Sequence, residues 1–461
     1  MKPYIKSTII ISLFPFLLLG ACKEFIDVPL PENQIQAMEV FENELTALSA
    51  VYGVYNTISQ GNLHLARGGM SVYIGLTSDE LAIASPNTTA EPFYENNLDA
   101  ENTTVRNNFW NSSYRIIYHI NAVIEGLENS KELTTEFKNP LIAEMKVIRA
   151  FYYFYLANIF GPAPLVIQTN YEANALQPNT SSVGEIYDLI VSDLLTSKDM
   201  LPKDRGEAEK MRPDRYVVSS LLARAYLYTE KWTEAATEAT EVIESGKFLL
   251  EPDLDDVFIV ESREAIWQIP SSDDFGQNIP EGGAFVPSSP TMVPRYVITE
   301  TLLNGFAPGD LRRDSWLSFN TVDGTDFYFP YKYKVQSSSS PISERNTLLR
   351  LAEIYLIRSE ALLRLDQIAL SREDLNAIRE RADLIPATTT DREELADLIE
   401  REKQLEFFAE WGHRWFDLKR LGKAGEVLGP LKPNWEPYKT LFPIPQDELE
   451  QNPNLIQNTG Y

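Results

Sequence analysis

The sequence RAFYYFYLANIFGP, residues 149–162, belongs to the most strongly predicted helix of the chain. Apolar and aromatic side chains recur at steps of three and four residues from Ile148 to Ile159, which is the spacing of one face of an α-helix. The Gly-Pro pair that follows ends a helix, because glycine adopts the left-handed cap and proline cannot continue the hydrogen bonds. We therefore predict a helix over 143–160 whose aromatic side chains belong to the core.

The same periodicity predicts that most of the chain is helical. A helix pair over 216–229 and 232–244, joined by two residues, has alanines at close-packing positions on both helices, which is typical of tetratricopeptide repeats. No repeat of about 34 residues returns, so we expect diverged helix pairs rather than a regular solenoid. The other predicted helices are 41–58, 107–127, 183–200, 347–365, 371–382 and 393–410.

Long irregular segments separate these helices. Residues 85–104 are rich in Asn, Thr and Pro, and residues 251–341 hold one predicted strand, 265–269, among many Gly, Pro and Ser residues. Loops of this length in a compact protein are usually functional or disordered. Both segments carry aromatic residues, which favours order and a functional role.

The composition is that of a large, acidic, globular protein. Its 461 residues carry a formal net charge of −26, and 44% of them are hydrophobic. Such a charge repels the phosphates of nucleic acids and the headgroups of anionic lipids. The three histidines, His64, His119 and His413, are far apart and no H-E-x-x-H motif is present. We therefore expect no metal site and no other cofactor.

The first residues predict export and lipid attachment. Two lysines precede an apolar run over 8–19, which fits a signal peptide and is shorter than the ~20 residues that span a bilayer. Leu-Gly-Ala then precedes Cys22, the only cysteine, in the pattern of a bacterial lipobox. We predict a signal peptide over 1–21 and a lipid on Cys22 that holds the protein at a membrane. The alternative is an ordinary signal peptide followed by a chance cysteine.

The block EWGHRWFDLKR at 410–420 is the most specific motif of the chain, and the ending QNTGY at 457–461 is nearly diagnostic on its own. With further motifs along the whole chain, they resemble the SusD/RagB family, whose members are surface lipoproteins of nutrient-uptake systems in Bacteroidota. Two departures are Ser359, where alanine is usual, and Lys403, where arginine is usual. The other matching segments are CKEFIDVP at 22–29, TSDE at 77–80, RAFYYFYL at 149–156, FGPAPLV at 160–166, ARAYL at 223–227, RLAEIYLIRSEA at 350–361 and FPIP at 442–445.

The resemblance implies a mainly α, SusD-like fold over 22–461. In that fold a tetratricopeptide-like helical scaffold, about 36–250 and 345–420, carries a loop-rich part with little strand, about 251–344 and 421–461. It also implies that a lipid-anchored protein on the outer face of the outer membrane captures an oligomeric nutrient, by default a glycan. The protein would deliver that nutrient as a lid to a SusC-like TonB-dependent transporter. The RagB branch handles peptides, so a peptide ligand stays open.

Two loop segments, an earlier one at 92–97 and a later one at 273–278 with Phe285, combine two kinds of side chain. Their aromatic rings stack on the C–H faces of sugars, and their polar side chains hydrogen-bond to sugar hydroxyls. The family tends to place its ligand site on loops from these two regions. We predict that the ligand contacts Phe93, Tyr94, Asn96, Phe275 and Asn278. The alternative is that these rings pack the loops down or face the transporter.

Charged residues near the C-terminal block have two interpretations. Glu402, Glu406 and Glu410 repeat every fourth residue on one helix face. With Arg414 and Arg420 nearby they could form an ion-pair network, and two of them could instead act as a catalytic acid and base. We favour the network, because no pocket-forming loop adjoins the helix.

Other polar residues also suit a structural role better than a catalytic one. We expect His413 to pack beside Trp411 and Trp415. Asp79 and Glu80 are adjacent, so their side chains diverge, which suits hydrogen bonding better than hydrolysis. No G-x-S-x-G motif is present, and the family is not catalytic, so we expect no enzyme activity. A surface hydrolase and a pure interaction scaffold are the alternative function classes.

Overall fold

The computed structural model describes residues 39–61, 63–206, 210–269, 279–337 and 342–461. Cys22, Phe275 and Asn278 lie outside these residues. Helices dominate the described part and its strands are short, so the predicted mainly α fold class is confirmed. None of the helices in this part combines the length and the apolar character needed to cross a membrane.

The secondary structure of the described residues comprises α-helices, short strands, two π-helical segments and three 3₁₀ turns. The α-helices are α1 Glu44–Ser59, α2 Gly75–Thr77, α3 Glu91–Tyr94, α4 Ser112–Asn129, α5 Thr135–Phe160, α6 Tyr171–Ala175, α7 Val183–Met200, α8 Arg215–Tyr228, α9 Trp232–Ile243, α10 Pro280–Phe285, α11 Glu300–Leu303, α12 Leu311–Trp316, α13 Leu351–Arg364, α14 Ile368–Arg381, α15 Arg392–Phe407, α16 His413–Arg420, α17 Ala424–Leu428 and α18 Gln446–Gln451. The strands are β1 Leu81–Ile83, β2 Ala265–Ile269, β3 Tyr296–Ile298, β4 Leu317–Val322, β5 Thr325–Pro330 and β6 Asn346–Arg350. The π-helical segments are Leu65–Ile74 and Val105–Asn111, and the 3₁₀ turns are Glu39–Phe41, Leu254–Asp256 and Pro437–Thr440.

Helix α5 lies at the centre of the core. It begins earlier than predicted, where the Thr134 side chain accepts a hydrogen bond from the Phe137 backbone N–H, and it ends at the predicted glycine. Its aromatic face packs against distant parts of the chain, since the Phe151 ring lies 5.4 Å from that of Trp267 and 5.5 Å from that of Trp411. Helices α4 and α7 cover its other sides. The aromatic stripe of the sequence is therefore core, as predicted.

Helices α8 and α9 form the predicted antiparallel pair. Their facing alanines, such as Ala223 and Ala239, are fully buried, which lets the two backbones approach closely. Three residues connect the helices, rather than the predicted two, and Glu230 in this turn has a φ of 58°. Helix α9 also packs against α13, which pairs with α14. These stacked pairs agree with a tetratricopeptide-like scaffold.

The predicted helix over 347–365 begins later, because its first residues form a strand. Residues Asn346–Arg350 pair antiparallel with Ala265–Ile269, the strand predicted from the sequence. Every side chain of both strands is buried. Two fully buried strands satisfy each other's backbone hydrogen bonds, and this long-range pairing outweighs the local helical spacing.

The described part of the region predicted as mostly irregular contains more regular structure than expected. Strands β3, β4 and β5 and helices α10 to α12 all lie between β2 and β6. Strands β4 and β5 form a hairpin whose two turn residues, Asp323 and Gly324, have φ values of 52° and 78°. Positive φ at both positions is the two-residue turn for which Asp-Gly is preferred. The dipeptide was a readable signal that the sequence-based prediction missed.

The three predicted glutamates form a buried ion network, but not with the predicted partners. Glu402, Glu406 and Glu410 are at most 6% exposed. Their cationic partners lie on other elements, so the network fixes α15 against them. The ion pairs are Glu402 with Arg312 and Arg379; Glu406 with Arg312, Arg350 and Arg381; and Glu410 with Arg350 and Lys332.

The predicted partners Arg414 and Arg420 bind elsewhere because the chain turns sharply between α15 and α16. Residues 409, 411 and 412 all have φ between 48° and 70°. After this turn, Arg414 pairs with Asp79 and Arg420 pairs with Glu360. The predicted ion-pair network is therefore present, but its cations are not the predicted Arg414 and Arg420.

Candidate functional site

The loop that follows β1, which carries Tyr94, leaves the body beside the segment that precedes β3. Strand β1 pairs antiparallel with β3, with Ile83 opposite Tyr296, and the Ala84 N–H donates to the Arg295 carbonyl at 3.2 Å. The loop after β1 and the loop before β3 therefore start at the same edge. The Asn87 amide donates to the Tyr296 hydroxyl at 3.1 Å and holds the first turn of the loop after β1 against β3.

Phe93 lies in the core and not on the surface of the site. Its side chain is 0% exposed. Its ring lies 4.7 Å from that of Tyr73, 6.2 Å from that of Phe109 and 5.8 Å from that of Phe442. A ring without an open face cannot stack on a sugar. The predicted ligand contact of Phe93 is corrected to a core position, which is the packing role weighed as the alternative.

Asn96 shapes the turn at the end of α3. It is 4% exposed and has a φ of 51°, a left-handed conformation that asparagine tolerates better than most residues. Its side-chain amide is placed to donate to the carbonyl oxygens of Thr77 and Phe93, at 3.3 and 2.9 Å. The amide is therefore used within the fold, and the predicted ligand contact of Asn96 is corrected as well.

Tyr94 is half-buried and keeps part of its ring open. The Lys432 ammonium lies over this ring, 4.3 Å from its centroid, and donates to the Leu76 carbonyl at 2.8 Å. Burial lowers the pKa of Lys432 to about 7. The cation fixes the orientation of the tyrosine ring, and ligand contact by Tyr94 stays a prediction.

Phe275 and Asn278 lie outside the described residues. The chain is described again from Ile279, directly before helix α10, which packs against both the Leu65–Ile74 segment and β3. Phe285 at the end of α10 is buried, 6.2 Å from the Tyr296 ring. The later loop therefore rejoins the body beside the earlier one.

Arg67 is a candidate site residue that sequence reasoning missed. The Leu65–Ile74 segment breaks its helical conformation at Arg67 and at Gly68, whose φ is 82°. A Cβ on Gly68 would meet the Pro280 side chain at 3.0 Å, so this segment lies close against the root of the later loop. Arg67 is 2% exposed, and none of the described groups accepts a hydrogen bond from its Nε.

The surroundings of Arg67 leave its charge only partly compensated. Desolvation lowers the pKa of Arg67, and the nearby Glu281 acts in the opposite direction. Glu281 itself accepts hydrogen bonds from Ser71 at 3.1 Å and from Asn346 at 3.4 and 3.5 Å, and burial raises its pKa. A buried guanidinium with free donor capacity suits a ligand that supplies hydroxyl or carbonyl oxygens. The arginine before a Gly-Gly pair was the only sequence signal.

The remaining acid and base candidates are engaged in the fold. Desolvation lowers the pKa of His413 to about 4, and its ring lies 4.7 Å from that of Phe407, rather than against the predicted tryptophans. Asp79 accepts hydrogen bonds from Arg414, as its predicted hydrogen-bonding role requires. No group of three or more His, Cys, Asp or Glu among the described residues could hold a metal ion.

A cavity of about 650 Å³ lies away from the two loops, between helices α1 and α4. Its lining includes Val54, Tyr118, His119 and Val123. None of the described residues predicted to contact the ligand lines it. We therefore place the candidate site at the loops, where polar and aromatic groups from distant parts of the chain converge.

Comparison with known families gives two matches. A SusD-like family model described as "Starch-binding associating with outer membrane" matches residues 39–227, and a SusD/RagB model described as "SusD family" matches residues 317–436. An alignment of 532 positions with SusD-like protein P25 of Formosa agariphila has 24% identity. It covers 98% of this chain and 99% of the relative.

Solved structures share the fold. A SusD superfamily protein from Bacteroides vulgatus superimposes with a TM-score of 0.81 and 19% identity, over 91% of this chain and 100% of the other. A laminarin-binding SusD-like protein superimposes with a TM-score of 0.74 and 21% identity, again over 91% of this chain and 100% of the other. At these identities the similarity establishes the architecture.

Proposed function

This chain belongs to the SusD/RagB family, and from that membership we propose that it binds an oligomeric nutrient, by default a glycan, at the loops beside β1 and β3. The observation that carries the proposal is that α3, which carries Tyr94, packs against β1, and that α10, at the root of the later loop, packs against β3, the partner of β1. Arg67 adds a buried guanidinium with free donor capacity at that root. The starch-binding description of one matching family model and the laminarin-binding relative support a glycan as the ligand.

The proposed location is the outer face of the outer membrane, with a lipid on Cys22 as the anchor. The lipobox pattern of the sequence and the outer-membrane description of the family model support this placement. There the protein acts as a lid that delivers its ligand to a SusC-like TonB-dependent transporter. The family's general association with SusC-like transporters supports this role.

The protein binds its ligand without chemically changing it. The carboxylates considered as an acid and base pair, Glu402, Glu406 and Glu410, are buried in ion pairs. The cationic neighbours of Glu406 hold its pKa well below its usual range despite burial. A carboxylate that stays ionised and enclosed by arginines is a poor general acid. This geometry supports binding over hydrolysis.

The experiment that tests the site uses the purified chain without its signal peptide and with Cys22→Ala. Native gels containing laminarin, amylopectin or other polysaccharides identify the polysaccharide that retards the protein. We expect Tyr94→Ala, Phe275→Ala and Arg67→Met to lose this retardation. Tyr171→Ala is the matched control, because this tyrosine is 81% exposed on α6.

Three outcomes would change the proposal. Unchanged retardation of all three variants would move the ligand site away from these loops. A protein that no polysaccharide retards, but that binds oligopeptides in calorimetry, would have the peptide ligand of the RagB branch. If the protein bound neither ligand in either assay, its function would be that of a pure interaction scaffold.

A further inference from the structure

Hairpin β4–β5 presents an aromatic pair on its solvent-facing side. Phe319 and Tyr328 are directly opposite each other in the strand register, with ring centroids 5.1 Å apart and planes tilted by 37°. Phe319 is 49% exposed and Tyr328 is half-buried. The exposed ring of Phe319 therefore lies beside the partly open ring of Tyr328.

The opposite side of the hairpin fixes it to the body. Phe329 on that side is 3% exposed. The Asn320 amide donates to the carbonyl oxygens of Ser289 and Met292 at 3.0 and 2.7 Å. Strand β5 also packs beside β3, which borders the candidate ligand site. The hairpin is thus held to the body through this face. On the other face, Phe319 is exposed and Tyr328 packs partly against the core and stays partly open.

A polar pair continues the open face towards the turn. Thr321 is opposite Asp326, two residues along each strand from the aromatic pair, and therefore on the same side of the hairpin. The Thr321 hydroxyl donates to Asp326 Oδ1 at 2.6 Å. Within the described part of the chain, no group donates a hydrogen bond to Asp326 Oδ2. A carboxylate can accept several hydrogen bonds, so this oxygen can receive a ligand hydroxyl.

We propose that this surface, the hairpin platform formed by Phe319, Thr321, Asp326 and Tyr328, is a second carbohydrate-binding site. The aromatic faces stack on the C–H face of a sugar ring, and the carboxylate accepts its hydroxyl protons. The carboxylate repels sulfated and uronic acid units, as does the net charge of −26, so the ligand is a neutral glycan. This inference rests on the proposed function, and adds a site that engages polysaccharides in addition to the loop site.

A cross-strand aromatic pair also stabilises a hairpin without any ligand. The two roles predict different responses to Phe319→Leu. Leucine retains apolar bulk and contacts across the strands, but it has no flat face for a sugar. A purely structural pair would tolerate leucine in a binding assay, whereas a stacking platform would not.

The experiment compares polysaccharide with oligosaccharide binding. The neutral polysaccharide that retards the wild-type chain in native gels, beginning with laminarin, is paired with its trisaccharide in calorimetry. We expect Phe319→Ala, Phe319→Leu and Tyr328→Ala each to weaken polysaccharide retention about fivefold, as expected for one lost stacking contact. Trisaccharide affinity stays unchanged, because the short ligand occupies the loop site. Tyr52→Ala, at 48% exposure on α1, is the matched control and retains full binding.

Three results would overturn the platform. Unchanged polysaccharide retention in both alanine variants would rule out the platform, and so would wild-type retention of Phe319→Leu. If the variants lost trisaccharide affinity to the same extent as polysaccharide retention, the effect would belong to the loop site or to a loss of folding. Failure of the proposed function itself gives a different result, because the wild-type chain would then bind neither polysaccharide nor trisaccharide.

Discussion

Arg414 donates two hydrogen bonds to Asp79, from Nε to Oδ1 at 2.8 Å and from Nη2 to Oδ2 at 2.9 Å. Both side chains are buried, at 8% and 2% exposure. The pair joins the TSDE motif near the start of the chain to the C-terminal EWGHRWFDLKR block. Strand β1 follows this motif directly and leads into the loop proposed to bind the ligand, so the ion pair fixes the base of that loop to the helical scaffold.

We expect Asp79→Asn to lower the free energy of unfolding by about 3 kcal/mol, because it leaves a buried arginine without its main anion. Urea denaturation of the purified chain measures the change. Asp447→Asn is the control, since its pair with Arg106 is 53% and 29% exposed and should contribute no more than about 1 kcal/mol. A loss below that of the control would contradict the role of the Asp79–Arg414 pair.

Glu80 should make stability depend on pH in a direction opposite to most carboxylates. Burial, together with the adjacent Asp79, raises the pKa of Glu80 to about 8, against the lowering effects of Arg414, Lys332 and the Ala409 N–H. The folded protein therefore holds a proton on Glu80 at neutral pH that the unfolded chain releases. The stabilisation from this proton is complete below the ordinary glutamate pKa and is lost as the pH rises through about 8.

Glu80→Gln mimics the protonated side chain and should remove this pH dependence. We expect the free energy of unfolding of the variant, relative to the wild type, to increase by on the order of 3 kcal/mol between pH 5 and pH 9. Urea denaturation at several pH values measures the difference, and Glu95→Gln, at an exposed position, is the control. A difference that stays constant with pH would mean that Glu80 is ionised in the folded protein.

Arg67→Met should separate binding from stability. The guanidinium is buried with incomplete hydrogen bonding, so an apolar replacement should leave the urea midpoint unchanged or higher while polysaccharide retention is lost. Arg149→Met is the contrasting variant, because Arg149 donates to Asp193 at 2.8 and 2.9 Å and to Asn121 at 2.8 Å. That change should destabilise the protein by about 3 kcal/mol. A similar destabilisation by Arg67→Met would assign Arg67 to the fold.

The predicted lipid anchor implies that membrane attachment and ligand binding can be separated by one substitution. Cys22→Ala should release the protein from the membrane fraction of the producing cells, because it removes the predicted lipid anchor. The purified variant should bind the ligand as tightly as a lipidated preparation in detergent. Membrane fractionation and calorimetry test the two parts. Persistent membrane association would point to a second anchor, and lost affinity would give the N-terminus a role beyond anchoring.

The helical scaffold was largely predictable from the sequence. Helix α7 has the predicted bounds, and α5 ends where the Gly-Pro pair placed its end, because local periodicity and end signals decide these elements. Strand β6 was not predictable in this way. Its residues have helical spacing too, and only the pairing with β2, distant in sequence, makes them a strand.

The ligand site stays a prediction, but the fold decides where the predicted residues lie. Helix α10, which follows the later predicted segment, packs against β3, the partner of β1. Phe93 and Tyr94 differ in exposure although they are neighbours. Short helix α3 turns one ring towards Phe442, near the end of the chain, and leaves the other half-open. Arg67 was missed because its significance depends on burial and on absent partners, which a sequence pattern does not display.

The most direct test of non-catalytic glycan binding is calorimetric titration of the Cys22→Ala chain with an oligosaccharide of the polysaccharide that retards it in gels. Chromatography of the recovered oligosaccharide then shows whether it has been cleaved. We predict saturable binding that Arg67→Met and Tyr94→Ala weaken, and recovery of the oligosaccharide at its original length. Release of shorter products, or binding that neither variant alters, would contradict a non-catalytic glycan-binding site at the loops beside β1 and β3.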